Sequence, residues 1–239
     1  MAAPPTFDPQ ESKGIYRLSI GAGVGLAGAI VAIVLPLVFL WLAAYTPGGF
    51  FTLGSPLVQS IGILVIVGAV LFVVSFFLYR RGFAHLRKWD RRFTPASVLC
   101  LIGSLGFLLL LVTAALLLGS TSSLVACLHG APSHALSCIR SEQPLGEYTS
   151  LIGFWLAWIG GVGILLGLSL AGRRFASGML SGGAVLYGLL LIVLVGPFVV
   201  LFVTLPGASY LTLVAPALAI LAPALAFGGA SRAFHIRST

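Results

Sequence analysis

The chain predicts an all-α integral membrane protein: six transmembrane helices, both termini cytoplasmic, and one longer extracytoplasmic loop. Three observations carry that prediction. The 239 residues are 59% hydrophobic and 8% charged, with a mean hydropathy of +1.13. A soluble domain carries about 25% charged residues, so a chain this apolar is expected to have lipid as its solvent. The apolar residues also come in long runs, each near the ~20 residues a helix needs to cross the hydrocarbon. Finally, the basic residues sit at the ends of these runs and nearly all on one side.

The runs are roughly Leu18 to Ala44, Leu57 to Tyr79, Ala96 to Leu118, Tyr148 to Leu170, Ser177 to Val203 and Tyr210 to Phe227. They make a transmembrane domain over 18–230, between a cytoplasmic tail at 1–17 and another at 231–239. None alternates with period two, as a transmembrane barrel strand would. The opening MAAPPTFDPQESKG is polar and proline-rich, and the apolar run behind it is longer than a signal peptide's. The first run is therefore expected to remain as a span. Within that opening, Asp8 reads as a cap, Pro9 as a first helical residue and Glu11 as the acid three positions after the cap. A short cytoplasmic helix is expected there. The sixth run is the weakest, being short and holding Pro216 and Pro223. Proline is tolerated in lipid-embedded helices, so it is expected to span.

Charge sets orientation. Lys13 and Arg17 precede the first run. Arg80, Arg81, Arg87, Lys88, Arg91 and Arg92 follow the second, Arg173 and Arg174 the fourth, and Arg232 and Arg237 the sixth. With six spans all of these share one side, and the other side has only Arg140. Positive loops stay in the cytoplasm. RRGFAHLRKWDRR is then the main cytoplasmic anchor loop. Phe83, Leu86 and Trp89 recur in it at helical spacing, which would suit a segment lying in the interface against anionic headgroups. A solvated positive turn is the plainer reading. Thr94 before Pro95 reads as the cap of the third helix. The net charge of +8 is explained by these anchors, so no nucleic-acid partner is expected.

The loop from Gly119 to Glu147 is too long for a bare turn and holds CLHGAPSHALSC. Cys127 and Cys138 lie on the side where disulfides form, and a bridge between them is the leading expectation. Free thiols remain open. So does a metal site with His129 and His134, although the nested order of ligands does not match the usual zinc spacing. No cofactor is expected. Cys100 reads as a small packing residue in the third span.

Thirty glycines supply the packing signal. Gly21, Gly25 and Gly28 share a face of the first span, Gly163 and Gly167 repeat the spacing in the fourth, and Gly178 and Gly182 in the fifth. Small residues four apart let backbones approach where lipid supplies no hydrophobic drive. Packing inside one subunit and a homo-oligomer seam are both open on this pattern. The second and third runs, with the basic turn between them, also resemble the fourth and fifth, which would suit a parallel internal repeat.

HLRKWDRRFTPASVLCLIGSLGFLLLLV and LIGFWLAWIGGVGILLGLSLAGRRFASGMLSGGA resemble an archaeal multi-pass membrane family catalogued as domain of unknown function 973. The likeness covers roughly the middle two-thirds of the chain. It implies an archaeal plasma membrane. It implies no activity and no functional residues.

Chemistry is sparse. The acids are Asp8, Glu11, Asp90, Glu142 and Glu147, and none lies mid-membrane. No Lys, Arg or His does either. Intramembrane ionisable groups mark proton relays and ion paths, and metal sites need His, Cys or carboxylate ligands. The sequence therefore predicts no enzyme. It predicts a non-catalytic accessory or scaffold subunit of a membrane complex, or a self-assembling bundle, with membrane lipids and other subunits or copies of itself as partners. The alternative is a small-solute transporter or passive channel, which requires a polar, water-accessible cavity near the midplane.

Overall fold

The computed structural model describes residues 9–38, 55–119, 144–200 and 208–238. Cys127, Cys138, His129, His134 and Arg140 lie outside the described residues. The architecture is all-helical: α1 (Pro9–Ala29), α2 (Ser55–Leu86), α3 (Thr94–Gly119), α4 (Pro144–Arg174), α5 (Gly178–Val200) and α6 (Ala208–Ser238). Five stretches are long and apolar enough to cross a membrane: Glu11–Val38, Gln59–Leu86, Arg91–Leu116, Tyr148–Arg174 and Val214–His235. The described part of α5, Gly178–Leu194, is apolar but shorter. The last run is the least apolar of the five, with a mean hydropathy of 1.7. The proline-bearing last run forms a helix of 31 residues that passes through both Pro216 and Pro223.

Each helix packs antiparallel on its neighbours in the chain, and α6 closes back on α1. The result is a closed ring of six helices in sequence order. The seams are glycine-lined. A Cβ placed on Gly160 of α4 would sit 2.2 Å from the Cα of Gly103 on α3. One placed on Gly106 would sit 2.3 Å from the Ala157 nitrogen. Only glycine permits such a crossing. The α1–α6 seam is held by Ser19 and Ser231, whose hydroxyls bond at 2.7 Å. The α1–α2 seam is held by the Ser75 hydroxyl donating to the Gly21 carbonyl at 2.7 Å.

Helix ends differ from the expected ones in three places. The helix expected ahead of the first span is continuous with it, since α1 runs unbroken from Pro9. The second helix continues past Tyr79 to Leu86, so the anchor loop shrinks to a turn and a 3-10 helix, Arg91–Phe93. The capping residue there is Asp90, whose carboxylate accepts from the Arg92 N–H at 2.9 Å. Thr94 is itself helical, with φ −58° and ψ −52°, because the 3-10 turn feeds directly into α3. Between α4 and α5 the turn is very short. Ser177 N–H donates to the Gly172 carbonyl at 3.0 Å and Ala176 N–H to Arg173, a helix-ending motif with Ala176 in the left-handed region at φ 49°. The Ser177 hydroxyl then accepts from the Leu180 N–H at 3.4 Å, capping α5.

Candidate functional site

The ring has two unlike halves. At one end gather the start of α1, the end of α2, the start of α3, the end of α4, the start of α5 and the end of α6. All the described basic residues lie at this end. Its interior is solid: Leu18, Tyr79, Phe83, Phe93, Cys100, Leu168 and Leu180 are at most 1% exposed. Phe83 stacks between Tyr79 and Phe93, with ring centroids 5.9 and 6.1 Å away. Gly167 makes room for it, since a Cβ there would meet the Phe83 ring at 2.2 Å. At the surface of this end, Arg174 pairs with Glu11 at 3.0 Å, tying α4 to the first turn of α1. Arg17 of α1 donates to Nε2 of His85 on α2.

Towards the middle the ring opens around a cavity of about 490 Å³. Every helix contributes a wall. Phe72, Ser75 and Phe76 come from α2, and Phe107 and Leu110 from α3. On α4, Phe154, Ala157, Trp158, Gly161 and Ile164 follow helical spacing along one face. Tyr187, Leu190, Leu191 and Leu194 do the same on α5, and Pro216, Ala219 and Pro223 on α6. From α1 come Gly25 and Ile33. Ile33 lies in a π-helical turn, Ile30–Val34, in which Leu35 N–H reaches back to the Ile30 carbonyl. Such turns insert one residue and swing the following side chains around the axis. Gly68 of α2 accommodates this turn, because a Cβ there would meet Ala32 at 2.3 Å.

The walls are almost wholly apolar. Phe107 stacks on Phe72 at 5.1 Å and leans on Phe76 at 5.2 Å. Trp158 commits its one polar atom to the wall, donating Nε1–H to the Leu191 carbonyl at 3.0 Å. The Ser75 hydroxyl is committed to Gly21. Tyr187 lines the void and its hydroxyl neighbours that of Tyr79 in the floor beneath. A buried water needs two to four polar partners, and these walls supply few. Walls of this kind suit apolar matter better than water.

Several residues singled out from the sequence fall elsewhere than expected. Phe83 and Leu86 are buried at 0% and 1%, not laid in the interface. The helix continues through the basic stretch, which turns these two inwards and leaves Trp89 exposed at 48%. Arg81, Arg87, Lys88, Arg91, Arg92, Arg173 and Arg174 are exposed around the same end, and Arg80 is half-buried. Arg80 and Arg81 both approach the Phe77 ring, at 5.5 and 5.6 Å. Gly21 and Gly28 face α2, Gly25 faces Ser75 and Pro223, Gly163 faces α3, and Gly167 faces Phe83, all inside this chain. Gly178 has nothing within 4 Å, and Gly182 meets only Leu225 at an ordinary 3.7 Å. Gly183 and Gly229 make the α5–α6 seam instead, against Ala226 and Leu180. The sequence reading did not single out Gly103, Gly106, Gly153 or Gly160. Their signal was available: two glycines three apart on one span, facing glycines on the next. Among the described residues no group of three or more His, Cys, Asp or Glu could hold a metal ion. Cys100 is a free, buried thiol.

No family model, curated protein or solved structure matches the chain. Fold and composition define its class, a polytopic helical membrane protein. The likeness to the archaeal family rests on the two quoted segments alone.

Proposed function

We propose that this is a non-catalytic, six-span protein of a prokaryotic plasma membrane that works by holding an apolar guest inside its helix ring. The single observation behind this reading is the apolar cavity of about 490 Å³ to which all six helices contribute. Its volume falls in the range of ligand pockets, ~300–1,000 Å³. Under this reading α5 completes the sixth span, the basic end faces the cytoplasm by the positive-inside rule, and the resemblance to the archaeal family suggests the organism group. The protein would serve as an accessory subunit whose contribution to a complex is binding.

The transporter or channel alternative requires polar walls for a polar solute, and the lining here disfavours it. The self-assembling bundle draws less support than before, because most of the glycine faces that suggested it are used within the chain. Two measurements test the proposal. Proteoliposomes carrying the protein are expected to pass water and small ions no faster than empty ones. A density map of the protein under xenon pressure is expected to place xenon, or another apolar guest, between Phe76 and Pro216. A measurable ion flux, or a file of ordered waters in the ring, overturns the reading.

A further inference from the structure

Granting the apolar guest, the shape of the void narrows its chemistry. On α4 the wall runs from Phe154 to Ile164, ten steps that amount to ~15 Å at ~1.5 Å per residue. A wall that stays apolar over ~15 Å suits a hydrocarbon chain extended along the ring axis. Water gains too few hydrogen bonds here to compete.

The void also has a direction. Phe76 and Ile164 form its floor at the basic-end side. Directly beneath, Tyr79, Phe83 and Leu168 are at most 1% exposed and close that end. A guest therefore cannot thread in from the side of the basic residues. The lining extends the other way, to Ile33, Leu194 and Pro216.

We propose that the ring houses the hydrocarbon tail of a membrane amphiphile, tail tip at the Phe76–Ile164 floor and polar head at the interface opposite the basic residues. The amphiphile then belongs to the leaflet away from the positive end. This inference rests on the apolar-guest reading and adds to it the hydrocarbon tail and the leaflet.

The test uses the full chain extracted in mild detergent. Native mass spectrometry is expected to find a bound chain-bearing amphiphile that survives detergent exchange. Ala219→Phe, which projects a ring into the void, is expected to lower that occupancy about tenfold. Ala215 also lines the cavity, and Ala215→Leu, a smaller filling, serves the same purpose should the first variant fail to fold; thermal melting reports folding for both. In a variant that keeps Trp158 and carries Trp41→Phe, Trp89→Phe and Trp155→Phe, a brominated-chain amphiphile is expected to quench fluorescence saturably. An adduct equally retained in both filled variants lies outside the ring and overturns the proposal. Xenon in the cavity with no amphiphile adduct and no saturable quenching overturns the chain but leaves the apolar-guest reading standing. Ordered water there overturns both.

Discussion

The two halves of the ring are built from the same residue types, yet one is solid and the other hollow. At the basic end large side chains from α2, the 3-10 turn before α3, α4 and α5 meet each other: Phe83 on Phe93, with Leu168 and Leu180 fully buried beside them. One turn or two further along, small residues such as Ala157, Gly161 and Ala219 take the inward positions on the walls. The backbones do not close in to compensate. They are held apart by the aromatic layer of Phe72, Phe76 and Phe107 and by α6, whose two prolines lie on the cavity wall. The solid half thus acts as the clamp that fixes the ring, and the hollow half is what the clamp leaves open. In lipid, where apolar contact with solvent costs little, packing contacts decide stability. The solid half should therefore be much the more sensitive to substitution.

The sharpest way to break this contrast is at the α3–α4 crossing, which spans both halves. Gly160→Leu would drive a side chain into the Gly103 backbone, where even a Cβ would lie at 2.2 Å. The nearest obstacle is backbone, which cannot swing aside, and the Phe76 ring lies beside it at 2.7 Å. The expected outcome is a loss above ~3 kcal/mol, seen as failure to recover folded protein in detergent. Recovery of a variant melting like the wild type would show that the helices do not cross this closely.

Truncation of leucines compares the halves directly. Leu168→Ala removes a side chain 1% exposed in the solid layer and is expected to cost ~2–5 kcal/mol. Leu190→Ala removes one that already borders the void, so few packing contacts are lost. Its expected cost is below ~1 kcal/mol. Thermal melting of the two variants in one detergent measures the difference. Equal losses would mean that the hollow half is as tightly filled as the solid one.

Why the clamp was partly legible in the sequence and the void was not follows from the same contrast. Close approach leaves a mark in the chain, because only glycine permits it. Gly21, Gly28 and Gly163 could be read from spacing, and they do lie at seams. Gly103 and Gly106 escaped because their spacing is three, and because their partners Gly153 and Gly160 lie on another span. A void leaves no such mark. It is the sum of small residues on several helices, each unremarkable on its own helix. These helices are also apolar nearly all round, so no polar face reveals which side looks inwards. The same blindness misplaced Phe83 and Leu86. Basic neighbours suggested an interfacial segment, but helical hydrogen bonding continued through them and turned both side chains into the core.

Smaller effects probe the rim of the solid end. Ala176 holds a left-handed conformation at φ 49° in the α4–α5 turn, where glycine carries no Cβ penalty. Ala176→Gly is expected to raise stability by ~0.5–1 kcal/mol, and melting a degree or more below wild type would contradict the turn geometry.

The weakest link at this end is the pair between Glu11 and Arg174. Its geometry is direct, with Nε of Arg174 at 3.0 Å from the carboxylate, and it joins α1 to α4 across the ring's basic end. The arginine side chain is 34% exposed and the glutamate 13%, so water and salt screen the attraction. Exposed pairs of this kind contribute ~0–1 kcal/mol. Glu11→Gln is therefore expected to lower melting by only a degree or two at low salt, with the gap closing as ionic strength rises. Persistence of the gap at high salt would mean that Glu11 is held by more than charge. The solid end would then owe part of its closure to a polar rim and not to packing alone. That would move the boundary between clamp and cavity outwards from the aromatic layer to the surface of the ring.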